Sequence, residues 1–328
     1  MLRLPAARSL TLAALALAAG AGPAAAQRLL ARADSLYRGG RVVAAESLYY
    51  AAVRRDPRDP AARLALGRYL AARGALKVGA VLMEEARFFG ADSVAVAREL
   101  APVYARIGDY RALATLPGSP LSAGERARAE WMRANGPLVA GPDSVVVPYA
   151  PAPRVVLGTV TLVIGGQNVT ASVDPTVQGL TLDPSWMGRA ETRVFPAGGG
   201  DPRSTVGITR AVRIGALTLG NVPTRYASQG AREQEARIGL DLLGPFAPTF
   251  DERARRLTLR RGGRPSAATA ADARATLPTL ALPSGLLVVS GGTAMPVASE
   301  RGRAAIRLAA GGGRFTIDAR RGEIVVER

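Results

Sequence analysis

Between residues 27 and 118, small, apolar and turn-forming positions recur at an interval of 34 residues. Gly40, Gly74 and Gly108 share that spacing, as do Ala33, Gly67 and Ala101, and Leu36, Leu70 and Tyr104. Two units extend through a second helix, where Ala45, Tyr49 and Ala52 are matched by Gly79, Met83 and Ala86. The pattern predicts stacked helix pairs. Small residues at 33, 67 and 101 let paired helices approach closely, and each recurring glycine sits in the turn between helices, where a left-handed backbone carries no steric strain. Pro57 and Pro60 end one unit and start the next. Ser122-Ala-Gly-Glu125 reads as a capping box, which predicts a further helix reaching Asn135 with Trp131 and Met132 as apolar anchors. That helix closes the stack.

Beyond Gly136-Pro137 and Gly141-Pro142 the hydrophobic period switches from helical to strand-like. Short strands are expected at 144–147, 155–164, 168–173, 180–182, 205–214, 217–219, 222–227, 249–251 and 256–260, with 190–204 as a loop. Gly165-Gly166 and Gly220-Asn221 supply turns, and Arg237–Phe246 reads as a tight glycine turn leading into a short helix. Many short strands with little helix predict a compact all-β barrel. Residues 263–276 read as a linker. Residues 277–328 then form a small β-rich module with a helix at 299–309 and a closing hairpin, Phe315–Val326, that echoes Phe250–Leu259. Two accounts fit this tail: a shrunken second copy of the barrel's closing half, or an accessory module packing on the barrel. The expected fold class is therefore multidomain α + β: helical repeats at 27–136, an all-β barrel at 137–262 and a C-terminal α+β module packed on it.

A helix-turn-helix period of 34 resembles the tetratricopeptide repeat, over two units and the first helix of a third. The resemblance implies a concave surface for a peptide or protein partner, or else a dimerisation or spacer module. A generic helical bundle is the plainer alternative.

Composition prunes the chemistry. The chain holds no His and no Cys, which excludes Ser-His-Asp triads, thiolate catalysis, disulfides and His- or Cys-based zinc sites. No cofactor is expected. The formal charge of +17 comes almost wholly from arginine, Lys77 being the only lysine. Such charge favours weak contact with an anionic envelope surface, whereas basic residues without interleaved aromatics or a binding motif argue against nucleic acid. Residues 1–26 read as a secretory signal, with Arg3 and Arg8 before an apolar run and Ala24-Ala25-Ala26 as the cleavage motif. The expectation is an exported protein, periplasmic or extracellular. The arginines between Arg253 and Arg264 read as protection for an edge hairpin.

Asp174 is the chief remaining candidate for catalysis. It ends a strand that follows the Gly165-Gly166 hairpin turn, and Ile238-Gly239 lies in a later loop. The hairpin into Asp174, the run Val212–Pro223, the block Ile238–Leu243 and the closing Phe250–Leu259 together resemble the retropepsin-like aspartic protease family, in its bacterial form with a signal and helical repeats. The match covers roughly residues 155–261. It implies Asp174 as the catalytic aspartate, with Pro175, Thr176, Ile238 and Gly239 lining the groove. That family reads Asp-Thr/Ser-Gly at the catalytic turn, whereas this chain reads Asp174-Pro175-Thr176. Pro175 lacks the hydroxyl that locks paired catalytic loops, and Thr176 replaces the glycine. A shared-proton mechanism needs two aspartates, and no second such motif occurs, so activity requires a homodimer. The favoured expectation is a degenerate protease-like domain that binds peptides or proteins. The alternatives are an active homodimeric endopeptidase using Asp174 from each subunit, an ordinary turn aspartate in an unrelated barrel, and a purely structural envelope protein. Asp183 reads as a helix cap and Asp241 as a turn or surface acid.

Overall fold

The helix pairs form where the 34-residue interval places them. In the computed structural model, residues 24–151, 157–196, 205–228, 236–262, 273–282, 285–290, 293–297, 302, 314–318 and 321–327 are described. Helices α1 (24–38) and α2 (Val42–Arg55), α3 (Pro60–Ala72) and α4 (Leu76–Phe88), and α5 (Ser93–Ile107) and the short α6 (Tyr110–Ala114) make three helical hairpins. Gly40, Gly74 and Gly108 sit in their turns at φ 76°, 90° and 75°. The hydrogen bonds repeat as well: Arg41, Ala75 and Asp109 donate their backbone N–H to the carbonyls of Leu36, Leu70 and Tyr104 at 2.9, 2.9 and 3.0 Å. These bonds satisfy a carbonyl that a helix end otherwise leaves open. The small-residue prediction also holds, since a Cβ on Gly67 would stand 2.9 Å from the carbonyl oxygen of Gly79 on the facing helix.

Of the expected signal, residues 1–23 lie outside the described residues, and Ala24–Ala26 belong to α1, with Ala26 buried. Among the described residues no helix is long and apolar enough to cross a membrane.

Helix α7 (Ala123–Asn135) carries the predicted capping box, Ser122 and Glu125 each bonding the other's backbone N–H. It does more than close the stack. Met132 packs with Phe195, Val206 and Ile208 of the barrel, Arg128 donates to the Thr224 carbonyl at 3.1 Å and Glu125 pairs with Arg225 at 2.9 Å. A Cβ on Gly124 would meet the Phe195 carbonyl oxygen at 2.6 Å, so the absence of a side chain there sets how closely the helix docks.

Among the described residues, seventeen strands follow. They are β1 (Leu138–Ala140), β2 (Ser144–Pro148), β3 (Ala150–Pro151), β4 (Gly158–Ile164), β5 (Gln167–Asp174), β6 (Leu180–Leu182), β7 (Thr192–Phe195), β8 (Val206–Ile214) and β9 (Leu217–Tyr226). After them come β10 (Ala236–Gly239), β11 (Thr249–Asp251), β12 (Arg256–Arg260), β13 (Ala273–Leu282), β14 (Gly285–Ser290), β15 (Thr293–Pro296), β16 (Arg314–Asp318) and β17 (Glu323–Glu327). A barrel closes in the order β9-β6-β10-β5-β4-β8 and back to β9. Alternating burial along β4 and β9 turns Val160, Leu162, Ile164, Leu217, Leu219 and Val222 inward.

Several expectations need correction. Residues 217–227 hold one continuous strand, not two. Asn221 is left-handed at φ 55°, but its pairing with β8 does not slip, and its side-chain amide is held by the carbonyls of Asn135 and Gly136 at 3.0 and 2.8 Å. The segment read as a loop at 190–204 contains β7, and β13 begins inside the stretch read as linker. The arginine-bearing strand β12 is no edge, because β2 covers it on one side and β11 on the other. The C-terminal module continues the sheet of the barrel's closing hairpin, in the order β15-β14-β13-β17-β16-β11-β12-β2, and its Leu286, Val288, Phe315 and Ile317 join the barrel's core. The expected helix at 299–309 lies outside the described residues save Gly302.

The helical hairpins also grip this second sheet. Arg73 donates to the carbonyls of Thr279 and Gly322, each at 3.0 Å, and Leu280 and Val289 share a core with Ala33, Val42, Ala45, Tyr49 and Leu66. The array thus spans barrel and C-terminal module together.

Candidate functional site

The alternation that fills the barrel also decides what reaches its mouth. Strand β5 runs parallel to β10, with Asp174 opposite Gly239 and Val173 opposite Ile238. The turn 175–179 and the short helix α8 (Leu240–Leu243) leave these two strand ends side by side. Gly239 donates to the Gly179 carbonyl at 2.8 Å, and Gly179 donates in turn to Asp241. The predicted neighbourhood of Asp174 and Ile238-Gly239 therefore forms.

The carboxylate of Asp174 is enclosed. The residue is fully buried, its Oδ1 accepts the Thr176 backbone N–H at 2.8 Å and the Thr176 hydroxyl at 2.6 Å, and its Oδ2 lies 3.5 Å from the Arg237 guanidinium. A carboxylate held this way serves as the internal brace of its own turn.

Two cavities lie over this turn, of about 830 and 770 Å³. The first is roofed by the array, through Tyr37, Tyr49, Arg68, Tyr69, Glu99 and Val103, and floored by Pro175, Val177, Gln178 and Leu240. Ala281, Leu282, Leu286 and Ile317 of the second sheet form its far wall. The second lies under α5, α6 and α7, through Tyr110, Arg128 and Met132, and over Thr176, Gly179, Thr181 and Pro223. Pro102, Arg106, Val177, Gln178 and Asp241 line both, so the two are joined along the turn. Volumes of this size suit a bound segment or small molecule.

At that junction stand two opposite charges. Asp241 is open to the cavity, yet protein surrounds it, which pushes its carboxyl above the usual range; the N–H groups of Gly179, Leu242 and Asp241 itself, and the charge of Arg106, work against that rise. Burial lowers the Arg106 guanidinium pKa, with Asp241 opposing. On the roof, Tyr37, Tyr49 and Tyr69 pack ring to ring at 5.8–6.4 Å between centroids. The hydroxyls of Tyr49 and Tyr69 donate to Asp34 and Glu46, each at 2.8 Å.

Of the residues expected at the site, Pro175 lines the first cavity and Thr176 the second. Asp174 and Gly239 are buried behind the lining, and Ile238 points into the barrel core. Asp183 caps a short helical turn by accepting the Ser185 N–H, as expected. Asp241, read as a turn or surface acid, belongs to the cavity. Its sequence signal was its place two residues after Gly239, which returns the side chain toward the turn at Gly179. Val177, Gln178 and Arg106 carried no such signal. Among the described residues, no group of three or more acidic side chains is arranged to hold a metal ion.

No protein-family model matches the chain, and no curated protein matches it in sequence. Among solved structures it bears a weak likeness to the crystal structure of a retropepsin-like aspartic protease from Rickettsia conorii. The identity is 11% and the TM-score 0.26, over 38% of this chain and 93% of that one.

Proposed function

We propose that this is an exported peptide- or protein-binding protein in which a tetratricopeptide-like array and a retropepsin-like barrel, no longer cleaving, enclose an extended segment between them. One observation carries the reading: the Asp174 carboxylate is fully buried and satisfied by Thr176 and Arg237, while its neighbours Pro175, Val177 and Gln178 form the cavity floor. An aspartate that activates water must present its oxygens to the substrate. Here the turn presents apolar surface, the Gln178 amide and Thr176, whose hydroxyl is bonded to Asp174, instead. The tyrosine-lined roof suits the same ligand, because tyrosine offers a broad apolar face at low conformational cost.

The test is to incubate a fluorescein-labelled unstructured polypeptide with the purified protein from acidic to neutral pH, following anisotropy and the appearance of new N-termini. Saturable binding without new termini is expected. Cleavage that disappears in Asp174→Asn would establish the peptidase reading in its place.

A further inference from the structure

The strands β2, β12, β11, β16, β17 and β13 lie side by side in that order, and their pairing repeats about a twofold axis between Thr249 and Thr316. In one hairpin Thr249 faces Thr258 and Asp251 faces Arg256; in the other Thr316 faces Val325 and Asp318 faces Glu323. Thr249 therefore corresponds to Thr316, and Asp251 to Asp318. The two turns agree, Asp251 accepting the Ala254 N–H at 2.8 Å and Asp318 the Arg321 N–H at 3.1 Å. At the axis the corresponding threonines face each other, their hydroxyls 2.7 Å apart.

The correspondence continues outward. Arg256 faces Pro148 and Glu323 faces Pro278. Tyr149 donates to the Arg255 carbonyl at 3.0 Å, and Thr279 donates to the Gly322 carbonyl at 2.7 Å. Next, Ala150 faces Thr159 and Leu280 faces Leu287. Each of these strands feeds a two-stranded ladder, β4–β5 with seven pairs and β14–β15 with four, and in sequence a Gly-Gly pair separates the two strands of each. Followed through both registers, Val173 matches Val297. In sequence, Asp174 follows the first and Ala298 the second.

We propose that residues 273–327 are a reduced internal copy of the barrel's framework that stands in for a second copy of this chain. The working unit is then one chain. Strand β16 fills the edge of β11 at which another molecule could add, the reduced copy supplies Ala281, Leu282, Leu286 and Ile317 to the cavity wall, and Ala298 takes the sequence position of a second carboxylate. Shared register across six strands is hard to obtain by chance, because one slipped residue turns every side chain to the other face.

A cysteine-free chain makes the test direct. Light scattering on the wild-type protein at micromolar concentration is expected to give the mass of a single chain. Oxidised Thr249→Cys/Thr316→Cys should form an intramolecular bridge, since directly opposed strand residues come close enough for one, while Thr249→Cys alone should remain uncrosslinked. A mass of two chains for the wild type, or a covalent dimer from Thr249→Cys alone, overturns the proposal. The wild-type measurement decides even where a variant folds poorly.

Discussion

Gly179 donates its backbone N–H to both carboxylate oxygens of Asp241, at 3.0 and 2.9 Å, tying the turn after Asp174 to the helix after Gly239. The bond joins the two loops at the barrel mouth through a group whose protonation responds to its enclosure.

Because enclosure raises the Asp241 pKa, the folded state holds a proton here that the unfolded state has released, between the ordinary carboxylate range near about 4 and the raised value. In that window stability falls as pH rises. Below it both states are protonated, and the group contributes no slope. Melting curves of the wild type and Asp241→Asn should therefore converge at the acidic end and separate in slope through the window, with the variant flatter. Parallel curves throughout would show that Asp241 is not perturbed.

Glu125 has the opposite sign. Burial alone pushes its carboxyl up, but the Ser122 N–H, the Arg225 charge and the Ser122 hydroxyl outweigh it and hold the pKa below the usual value. Its contribution is complete above the ordinary carboxylate range and is lost as pH falls through the lowered value. Glu125→Gln should lose stability at neutral pH and should show a smaller further loss on acidification than the wild type in urea titrations.

Asp174→Ala removes the buried acceptor of the Thr176 N–H and hydroxyl. A cost of about 1.5–3 kcal/mol is expected, the usual net contribution of hydrogen bonds to a charged group, read as a lower urea midpoint. Asp174→Asn keeps one acceptor and should lose less. Equal, negligible losses would mean that the carboxylate does not brace the turn.

Gly124→Val places side-chain carbon against the backbone of Phe195 and Pro196. Backbone gives way poorly, so a destabilisation of about 1–3 kcal/mol is expected, as for an overpacked core. In a Trp186→Phe background, stronger quenching of Trp131 fluorescence by a soluble quencher would report α7 lifting from β7 and β8; unchanged quenching with unchanged stability would contradict the docking described.

Val177 is half-buried and lines both cavities. Val177→Arg should fill their junction and add a second cation beside Arg106, weakening binding of the labelled polypeptide at least about tenfold, which corresponds to about 1.4 kcal/mol, with little change in melting temperature. Unaltered affinity would place the ligand elsewhere.

The helical array was legible because its signal is local: a left-handed turn recurs, and glycine tolerates that conformation without strain. The hairpin into Asp174 was legible for a similar reason, Gly165-Gly166 between alternating strands. What escaped depends on distant partners. Gly220-Asn221 has turn chemistry, yet carbonyls at the end of α7 hold Asn221 within a strand. Nothing in the sequence around Arg256 indicates that β2 will cover its strand. Ile238 was expected at the groove, but its burial among barrel residues follows from a pairing with Val173 that only the closed sheet reveals. The cavity itself has walls from three separated stretches, so no single window of sequence describes it.

The clasp between Arg73 and the carbonyls of Thr279 and Gly322 reaches across 206 and 249 positions of sequence. During synthesis the helical hairpins emerge long before the strands that cover Ala33, Val42 and Leu66. Their apolar faces must wait uncovered until those strands arrive, a delay of roughly ten to forty seconds at ordinary elongation rates of about 5–20 residues per second. A nascent chain in that interval is exposed to aggregation, and a holdase acting on it before release would find its target in the array.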